Sequence, residues 1–200
     1  SLLPFFVLSE ILLGMGVVHF IGVLLEPLMR PLFNVPGVGA FALSMGLAAG
    51  YPMDAVLTGK FRRSGMCTRI EGERLLSFTN TADPLFIFGA VAVGMFGLPD
   101  LGMVLAIAHY TSSFTVGFIF KYYGYGSEQK TPESQESYQG GIIRRAVRAL
   151  IKARKEDGRT FGQLMGDSVK ESVNTLLMIG GFIMLFSVLV KMLETFGLLA

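Results

Sequence analysis

The sequence predicts an all-α integral membrane protein: a helical bundle with a broken transmembrane helix and, in a second broken segment, a re-entrant hairpin or a kink. Hydrophobic residues make up 52% of the chain and charged residues 16%, whereas an ordinary soluble domain carries about 25% charged residues. Several apolar runs approach the roughly 20 residues that span a bilayer. Two of these runs are interrupted by glycine, proline or polar residues, for which hydrocarbon supplies no hydrogen-bond partners.

The first apolar segment runs from about Leu2 to Leu25, and the second, Val35 to Leu57, is interrupted by Gly50-Tyr51-Pro52. Pro52 disfavours helical geometry at Tyr51, and Gly50 tolerates any backbone angle, so the helix is expected to break there. These residues alone do not choose between a kinked span and a hairpin that enters and leaves the membrane on one side.

The third segment, Glu73 to Phe96, is long enough to span a membrane, but its midpoint reads Ser77-Phe78-Thr79-Asn80-Thr81-Ala82-Asp83-Pro84. Such a midpoint is stable at membrane depth only when it is buried in protein or lines a wet cavity, as in transporter sites. Because Asp83 precedes Pro84, we expect it at the N-cap of the following helix, which does not exclude a binding role. Backbone carbonyls freed just before the break would suit a cation, and the N-terminus of the next helix would suit an anion. Alternatively, the polar side chains before the break form hydrogen bonds between helices.

Charge places the loops relative to the membrane. Of the seventeen lysines and arginines, five lie between Lys60 and Arg74 and nine between Lys121 and Arg159. Short basic loops stay on the cytoplasmic side, so we expect both loops there. The turn Gly97 to Asp100 then lies on the opposite side, between the broken segment and a fourth span, Leu101 to Phe120. A last apolar run follows from about Leu176 to Leu193.

The second basic loop contains a pattern typical of an amphipathic helix. Basic residues interleave there with apolar residues at helical spacing, namely Ile142, Ile143, Ala146, Val147, Leu150 and Ile151. Such a helix either lies on anionic membrane lipids or packs on the protein's own cytoplasmic face. The pattern leaves both placements open.

Two ionisable residues are candidates for a role inside the membrane. In a hairpin, Asp54 lies near membrane depth, where burying a carboxylate costs free energy unless it has a functional role or a charged partner. In a kinked span, Asp54 lies closer to the membrane interface. His109 shares the fourth segment with Ser112 and Ser113, and is either a proton relay or a hydrogen-bonded structural histidine.

Other classes of function find no support in the sequence. It contains no metal-ligand spacing, nucleotide-binding loop or nucleophile elbow, so we expect no metal, no cofactor and no enzyme activity. The basic loops flank spans and form no soluble binding domain, so nucleic acid is not an expected partner.

Short motifs run through nearly the whole chain: Leu3-Pro4-Phe5-Phe6, Leu25-Glu26-Pro27-Leu28-Met29-Arg30-Pro31-Leu32-Phe33, Gly50-Tyr51-Pro52, Glu73-Arg74-Leu75-Leu76-Ser77-Phe78-Thr79-Asn80 and Pro84-Leu85-Phe86. With them the chain resembles the sporulation-stage integral membrane proteins that carry nucleoside-recognition (Gate) domains. A Gate domain is similar to half of a concentrative nucleoside transporter core. The resemblance implies that residues 35–60 form a re-entrant hairpin and that residues 73–96 form the broken helix facing it.

The resemblance also implies a division of the chain. Residues 1–120 would be a first Gate-type transmembrane domain, 121–160 a basic cytoplasmic loop with an amphipathic helix, and 161–200 the start of a second transmembrane unit. The chain begins without methionine and stops inside an apolar run, so we expect a piece of a longer protein. Its partners would include a second Gate domain of the same chain, and a homo-oligomer is a further option.

The function implied is transport of a small solute, dipicolinic acid, during endospore formation, by a multi-pass protein of a bacterial cell or forespore membrane. The midplane site would lie at the broken helices, with Tyr51 and Phe78 stacking on the aromatic substrate. Because dipicolinate is anionic, the Asp54 carboxylate would have to be protonated or paired with a cation. The substrate-binding residues we expect are Gly50, Tyr51, Asp54, Phe78, Thr79, Asn80 and Asp83.

Two other functions fit the same residues. One is a transporter of nucleosides or other cation-coupled solutes, which Asp54 and the lack of basic residues inside the spans favour. The other is a non-transporting membrane scaffold in spore-envelope assembly, acting through the amphipathic helix. Replacing Asn80 would reduce transport in a transporter and stability in a scaffold.

Overall fold

The chain is all-helical over the residues that its computed structural model describes, 3–124 and 141–197. No strand occurs in these two ranges, which confirms the predicted fold class. The helices within them are α1 (Leu3–Gly14), α2 (Val17–Phe33), α3 (Gly39–Ala49), α4 (Met53–Arg63), α5 (Arg69–Thr79), a π-helix (Phe86–Met95), α6 (Leu101–Phe120), α7 (Ile142–Asp157) and α8 (Phe161–Thr195).

Two helices in the described part of the chain, α6 and α8, are long and apolar enough to cross a membrane. The bounds of α6 are those that the sequence predicts. α8 begins well before the predicted apolar run because a capping box closes its N-terminus. The Thr160 hydroxyl accepts from the Gln163 N–H at 3.3 Å, and Gln163 Oε1 accepts from the Thr160 N–H at 2.9 Å.

The first apolar segment folds into two helices and not one. α1 and α2 are bent by 81° at the short break between them, and the pair counts as a third span only if both helices belong to it. Gly16 lies at the bend with φ 78°, a left-handed conformation that few other residues adopt. The apolar pattern continues across the bend, so hydropathy does not indicate it.

The described residues form two compact units. One unit includes the described residues 12–124 and 141–158; it contains α2 to α7 and the π-helix, and its core includes Phe33, Phe61 and Phe78. In the other unit, which includes the described residues 3–11 and 159–197, α8 buries Leu164, Ser168 and Ser172. The domain boundaries expected at 120 and 160 stay a prediction, and residues 125–140 of the expected loop lie outside the described ranges.

Candidate functional site

Helix α3, which lies in the interrupted segment Val35 to Leu57, packs along α5. A Cβ placed on Gly39 would lie 2.6 Å from Leu75 Cδ2, and one on Gly46 would lie 2.6 Å from the Thr79 carbonyl oxygen. The contacts advance along both helices together. α3 therefore runs parallel to α5, and its C-terminal end approaches the end of α5.

α4 packs on α5 in the opposite direction. A Cβ on Gly72, near the start of α5, would lie 3.6 Å from Thr58 Cγ2, whereas Asp54 at the start of α4 contacts Thr79 at the end of α5. The chain therefore reverses at Gly50-Tyr51-Pro52, and we call α3, this turn and α4 the hairpin. Its re-entrant placement in a membrane stays a prediction.

The tip of the hairpin lies against residues 80–83, the irregular segment that follows α5. We call this segment the α5 break. A Cβ on Gly50 would come within 2.8 Å of Asp83 Oδ2, so a side chain at this position would displace the carboxylate. Both predicted breaks thus meet at one place in the fold. Of the predicted site residues, this geometry brings together Gly50, Asp54, Thr79 and Asp83.

Side chains of α6 replace the helical hydrogen bonds that the α5 break has lost. The Ala82 N–H donates to His109 Nε2 at 3.0 Å, and the Tyr110 hydroxyl donates to the Ala82 carbonyl at 2.9 Å. The Ser113 hydroxyl donates to the Phe78 carbonyl. Because neighbouring side chains satisfy these backbone groups, irregular backbone is tolerated here away from water.

The histidine in this set has a defined hydrogen-bonding role. An imidazole that accepts at Nε2 is neutral and carries its proton on Nδ1. Protonation of His109 would therefore convert Nε2 into a donor and remove the bond from the Ala82 N–H. The expected proton relay stays a prediction, and this contact would couple such a relay to the α5 break.

Asp54 is fully buried in the first turn of α4. Its Oδ2 lies 3.3 Å from Thr79 Oγ1, which also lies 2.9 Å from the Leu75 carbonyl oxygen. Its Oδ1 has no hydrogen-bond partner among the described residues. A buried polar atom without a partner is uncommon in a folded protein and calls for an explanation.

Asp83 carries the capping contact that the sequence predicts. Its Oδ1 accepts from the Phe86 N–H at 2.9 Å, at the start of the π-helix. This bond satisfies one of the free N–H groups of a helix N-terminus and places a carboxylate where the helix dipole stabilises it. The side chain is half-buried, with its second oxygen toward the hairpin tip.

The three remaining predicted residues differ in accessibility. Tyr51, in the hairpin turn, and Asn80, at the start of the α5 break, are both exposed. Phe78 is 1% exposed, and its ring stacks on Phe33 with centroids 4.3 Å apart. In this structure Phe78 is thus a core aromatic residue, and Tyr51 presents the accessible ring.

A buried polar network that sequence reasoning missed lies at the other end of α5. The Arg74 side chain is 1% exposed and donates to the carbonyls of Asn34, at 2.9 Å, and Tyr123, at 3.0 Å. Glu71, also fully buried, accepts from the Thr68 N–H at 2.8 Å and from Arg30. These contacts tie the start of α5 to α2 and to the end of α6.

A local signal for this network exists in the sequence. Glu71, Arg74 and Phe78 recur at intervals of three and four, so they share one face of α5 with the buried Leu75. A charged residue on an apolar face indicates a buried pair. The partners, however, lie about forty residues earlier and fifty residues later in the chain, and no local pattern identifies them.

The chain matches the model of the Gate family, described as nucleoside recognition, over residues 1–126. It is 51% identical to sporulation integral membrane protein YlbJ of Bacillus subtilis (strain 168) over 194 residues, which are 97% of this chain and 47% of that protein. The chain thus spans about half the length of this curated relative. No solved structure matches the chain.

The family match includes the hairpin, the α5 break and the α6 residues that hold the break. The apolar helices α6 and α8 and the similarity to an integral membrane protein agree in placing the chain in a membrane. This chain is therefore an integral membrane protein that belongs to the Gate, or nucleoside recognition, family.

Proposed function

We propose that this chain forms half of the core of a secondary transporter that moves dipicolinic acid during endospore formation. The observation that carries the proposal is the meeting of two helix breaks around the buried Asp54 carboxylate. Burial of a carboxylate oxygen without a partner costs free energy, which a bound proton or cation would offset. The name of the Bacillus relative supports the link to sporulation.

The hydrogen bonds around Asp54 indicate how it would take part. The Thr79 hydroxyl has one hydrogen, and the Leu75 carbonyl, at 2.9 Å, is the nearer of its two acceptors. If Thr79 donates to Leu75, no other side chain among the described residues donates to Asp54, and its remaining donors are backbone N–H groups in the first turn of α4. A bound proton or a bound cation would then neutralise the carboxylate. Either state removes the negative charge that would repel a dicarboxylate, so transport would be coupled to a proton or cation gradient.

The other groups at the breaks suit an aromatic dicarboxylate. The exposed amide of Asn80 offers hydrogen-bond donors to a carboxylate. The exposed ring of Tyr51 offers a stacking surface for a pyridine ring. Because Phe78 packs on Phe33, Tyr51 is the predicted residue whose ring would contact the aromatic ring of the substrate. We place the hairpin as re-entrant, so that its tip and the α5 break lie near the bilayer midplane.

A second candidate substrate is a nucleoside carried together with a cation. The predicted site residues include two carboxylates, Asp54 and Asp83, and no lysine or arginine. This charge distribution favours a neutral solute with a cation over a dianion. Both substrates use the same two breaks, so competition between them distinguishes the candidates.

Uptake of labelled dipicolinate into vesicles that contain the full-length protein tests the proposal. Wild type is compared with Asn80→Ala, Asp83→Ala and Asp54→Asn, each checked for folding and membrane level. Thr115→Ala is the matched control, because Thr115 is exposed on α6 and, among the described residues, its hydroxyl bonds only the carbonyl of Thr111 within its own helix. We expect wild type and the control to transport and the three site variants to lose at least most of the uptake.

The outcomes separate the three functions. Cation-dependent uptake of labelled uridine that unlabelled uridine blocks, and that unlabelled dipicolinate does not block, would favour the nucleoside transporter. Absence of uptake of either solute by wild type under proton, sodium and potassium gradients would contradict transport and favour the scaffold. Site variants that transport as well as wild type would contradict the placement of the site.

A further inference from the structure

α7 has two distinct apolar faces, and only one of them packs against another helix among the described residues of its unit. The first face packs along α2; it contains Ala146, which is fully buried, and Leu150, whose carbonyl lies against Gly16. The second face is formed by Ile143, Val147 and Ile151, whose side chains are 66%, 42% and 47% exposed. These three residues recur every four positions, so they form a continuous stripe along the helix.

The sector next to this exposed stripe is basic. At 100° per residue, four of the six basic residues of α7 follow the apolar stripe around the helix on the side away from α2. All four are exposed: Arg144, Arg148, Lys152 and Lys155. A shallow open groove of about 360 Å³ lies beside the stripe, lined by Arg148, Ile151, Lys152, Lys155 and a single carboxylate, Glu156.

We infer that α7 is a membrane-surface helix that binds the headgroup layer of an anionic phospholipid bilayer. Its first apolar face anchors it to α2, the stripe of Ile143, Val147 and Ile151 enters the acyl-chain boundary, and the basic sector binds lipid phosphates. An apolar stripe bordered by lysine and arginine is the arrangement by which amphipathic helices lie in the interface. Basic residues close to a cytoplasmic leaflet are attracted by its negative surface potential.

Charge argues for a bilayer over a protein partner on this face. The stripe is narrow, with one side chain per turn, whereas a protein docking site concentrates its binding energy in a central buried cluster. The basic sector extends over three helical turns, which matches a continuous layer of phosphates. Three cationic side chains, Arg148, Lys152 and Lys155, line the groove beside Ile151.

Depth measurements with a nitroxide label test this inference in the full-length protein. Cysteine is introduced at Val147 on the stripe or at Lys155 on the basic sector, in a Cys67→Ser background. The protein is reconstituted in bilayers with phosphatidylglycerol or with phosphatidylcholine alone. We expect the ratio of oxygen to nickel-chelate accessibility in phosphatidylglycerol to be several-fold higher at Val147 than at Lys155, because oxygen concentrates in the acyl chains.

A charge variant separates binding of anionic lipid from simple burial. Arg144→Gln with Lys155→Gln should lower the ratio at Val147 toward its value in phosphatidylcholine, without changing the melting temperature of the protein. Equal ratios at Val147 and Lys155 would overturn the inference, because α7 would then lie in water. Low accessibility of Val147 to both reagents would also overturn it, because another protein surface would then cover the stripe.

Discussion

The close approach of α3 to α5 makes Gly46→Ala the most direct test of the site geometry. A Cβ at this position would lie 2.6 Å from the Thr79 carbonyl oxygen and 3.4 Å from Asp54 Cβ. An unstrained C···O contact is about 3.3 Å, so α3 must move by roughly 0.7 Å. The obstructing atom is backbone, held by its place at the end of α5, and no side-chain rotation can relieve the contact.

The magnitude follows from two opposing effects. Inserting a methyl group into a packed interior costs about 1–3 kcal/mol, and a clash with backbone belongs in the upper part of that range. Replacing glycine by alanine inside a helix returns up to about 1 kcal/mol through helix propensity. We therefore expect Gly46→Ala to lower the free energy of unfolding by about 1–2 kcal/mol. It should also separate Asp54 from Thr79 and impair uptake.

Gly59→Ala in α4 provides the matched control. Within 4 Å, and among the residues that the structure describes, a Cβ on Gly59 would meet only Arg63 Nη1, at 3.6 Å, which is an ordinary contact with a flexible side chain. The same substitution should there raise the melting temperature or leave it unchanged. Thermal unfolding in detergent and uptake in vesicles measure both variants. A Gly46→Ala protein as stable and as active as Gly59→Ala would refute the parallel packing of α3 on α5.

Three further predictions concern the residues around the site. Arg74→Ala should destabilise the protein by about 1–3 kcal/mol in thermal unfolding, because it leaves the carbonyls of Asn34 and Tyr123 without their buried donor; Arg69→Ala, which breaks an exposed pair, should cause no measurable change, and equal effects would contradict this role of Arg74. Burial, followed by the charge of Glu71, raises the pKa of the Cys67 thiol to about 11 against the opposing effect of Arg62. Iodoacetamide at pH 8 should therefore modify the native thiol at least about a hundredfold more slowly than the detergent-unfolded thiol, with the rate rising toward pH 11, and rapid native labelling would exclude this burial. Tyr110→Phe should cost about 1–3 kcal/mol, because it leaves the Ala82 carbonyl without its 2.9 Å donor; an unchanged melting temperature would show that the α5 break does not depend on that bond.

The helix breaks and the α6 span were predictable from sequence because their causes are local. Pro52 and Pro84 restrict the residues before them, Gly50 permits the turn, and the polar run before Asp83 marks the midpoint. The bend of 81° between α1 and α2 was missed because apolar residues continue through it. Hydropathy reports what a residue is buried in and carries little information on the direction of the chain.

Residues that act across long sequence separations were less predictable. Asn80 and Phe78 lie two positions apart in one polar run, and the sequence assigned both to the site. In the fold, Asn80 is exposed and Phe78 stacks on Phe33, a residue of α2. The polarity of a segment predicts that a site is present, whereas the accessibility of each side chain depends on helices that pack against it from elsewhere in the chain.

The contacts on the two sides of the α5 break differ in kind, and this difference bears on movement. On one side, α6 holds the backbone at Phe78 and Ala82 through three side-chain hydrogen bonds. On the other side, the hairpin makes close van der Waals approaches at Gly46 and Gly50 and the long 3.3 Å contact between Asp54 and Thr79. Separating α6 would leave several buried polar groups without partners, at a cost of about 1–3 kcal/mol each. Separating the hairpin would break the contact between Asp54 and Thr79, so we predict that displacement of the hairpin opens the proposed site.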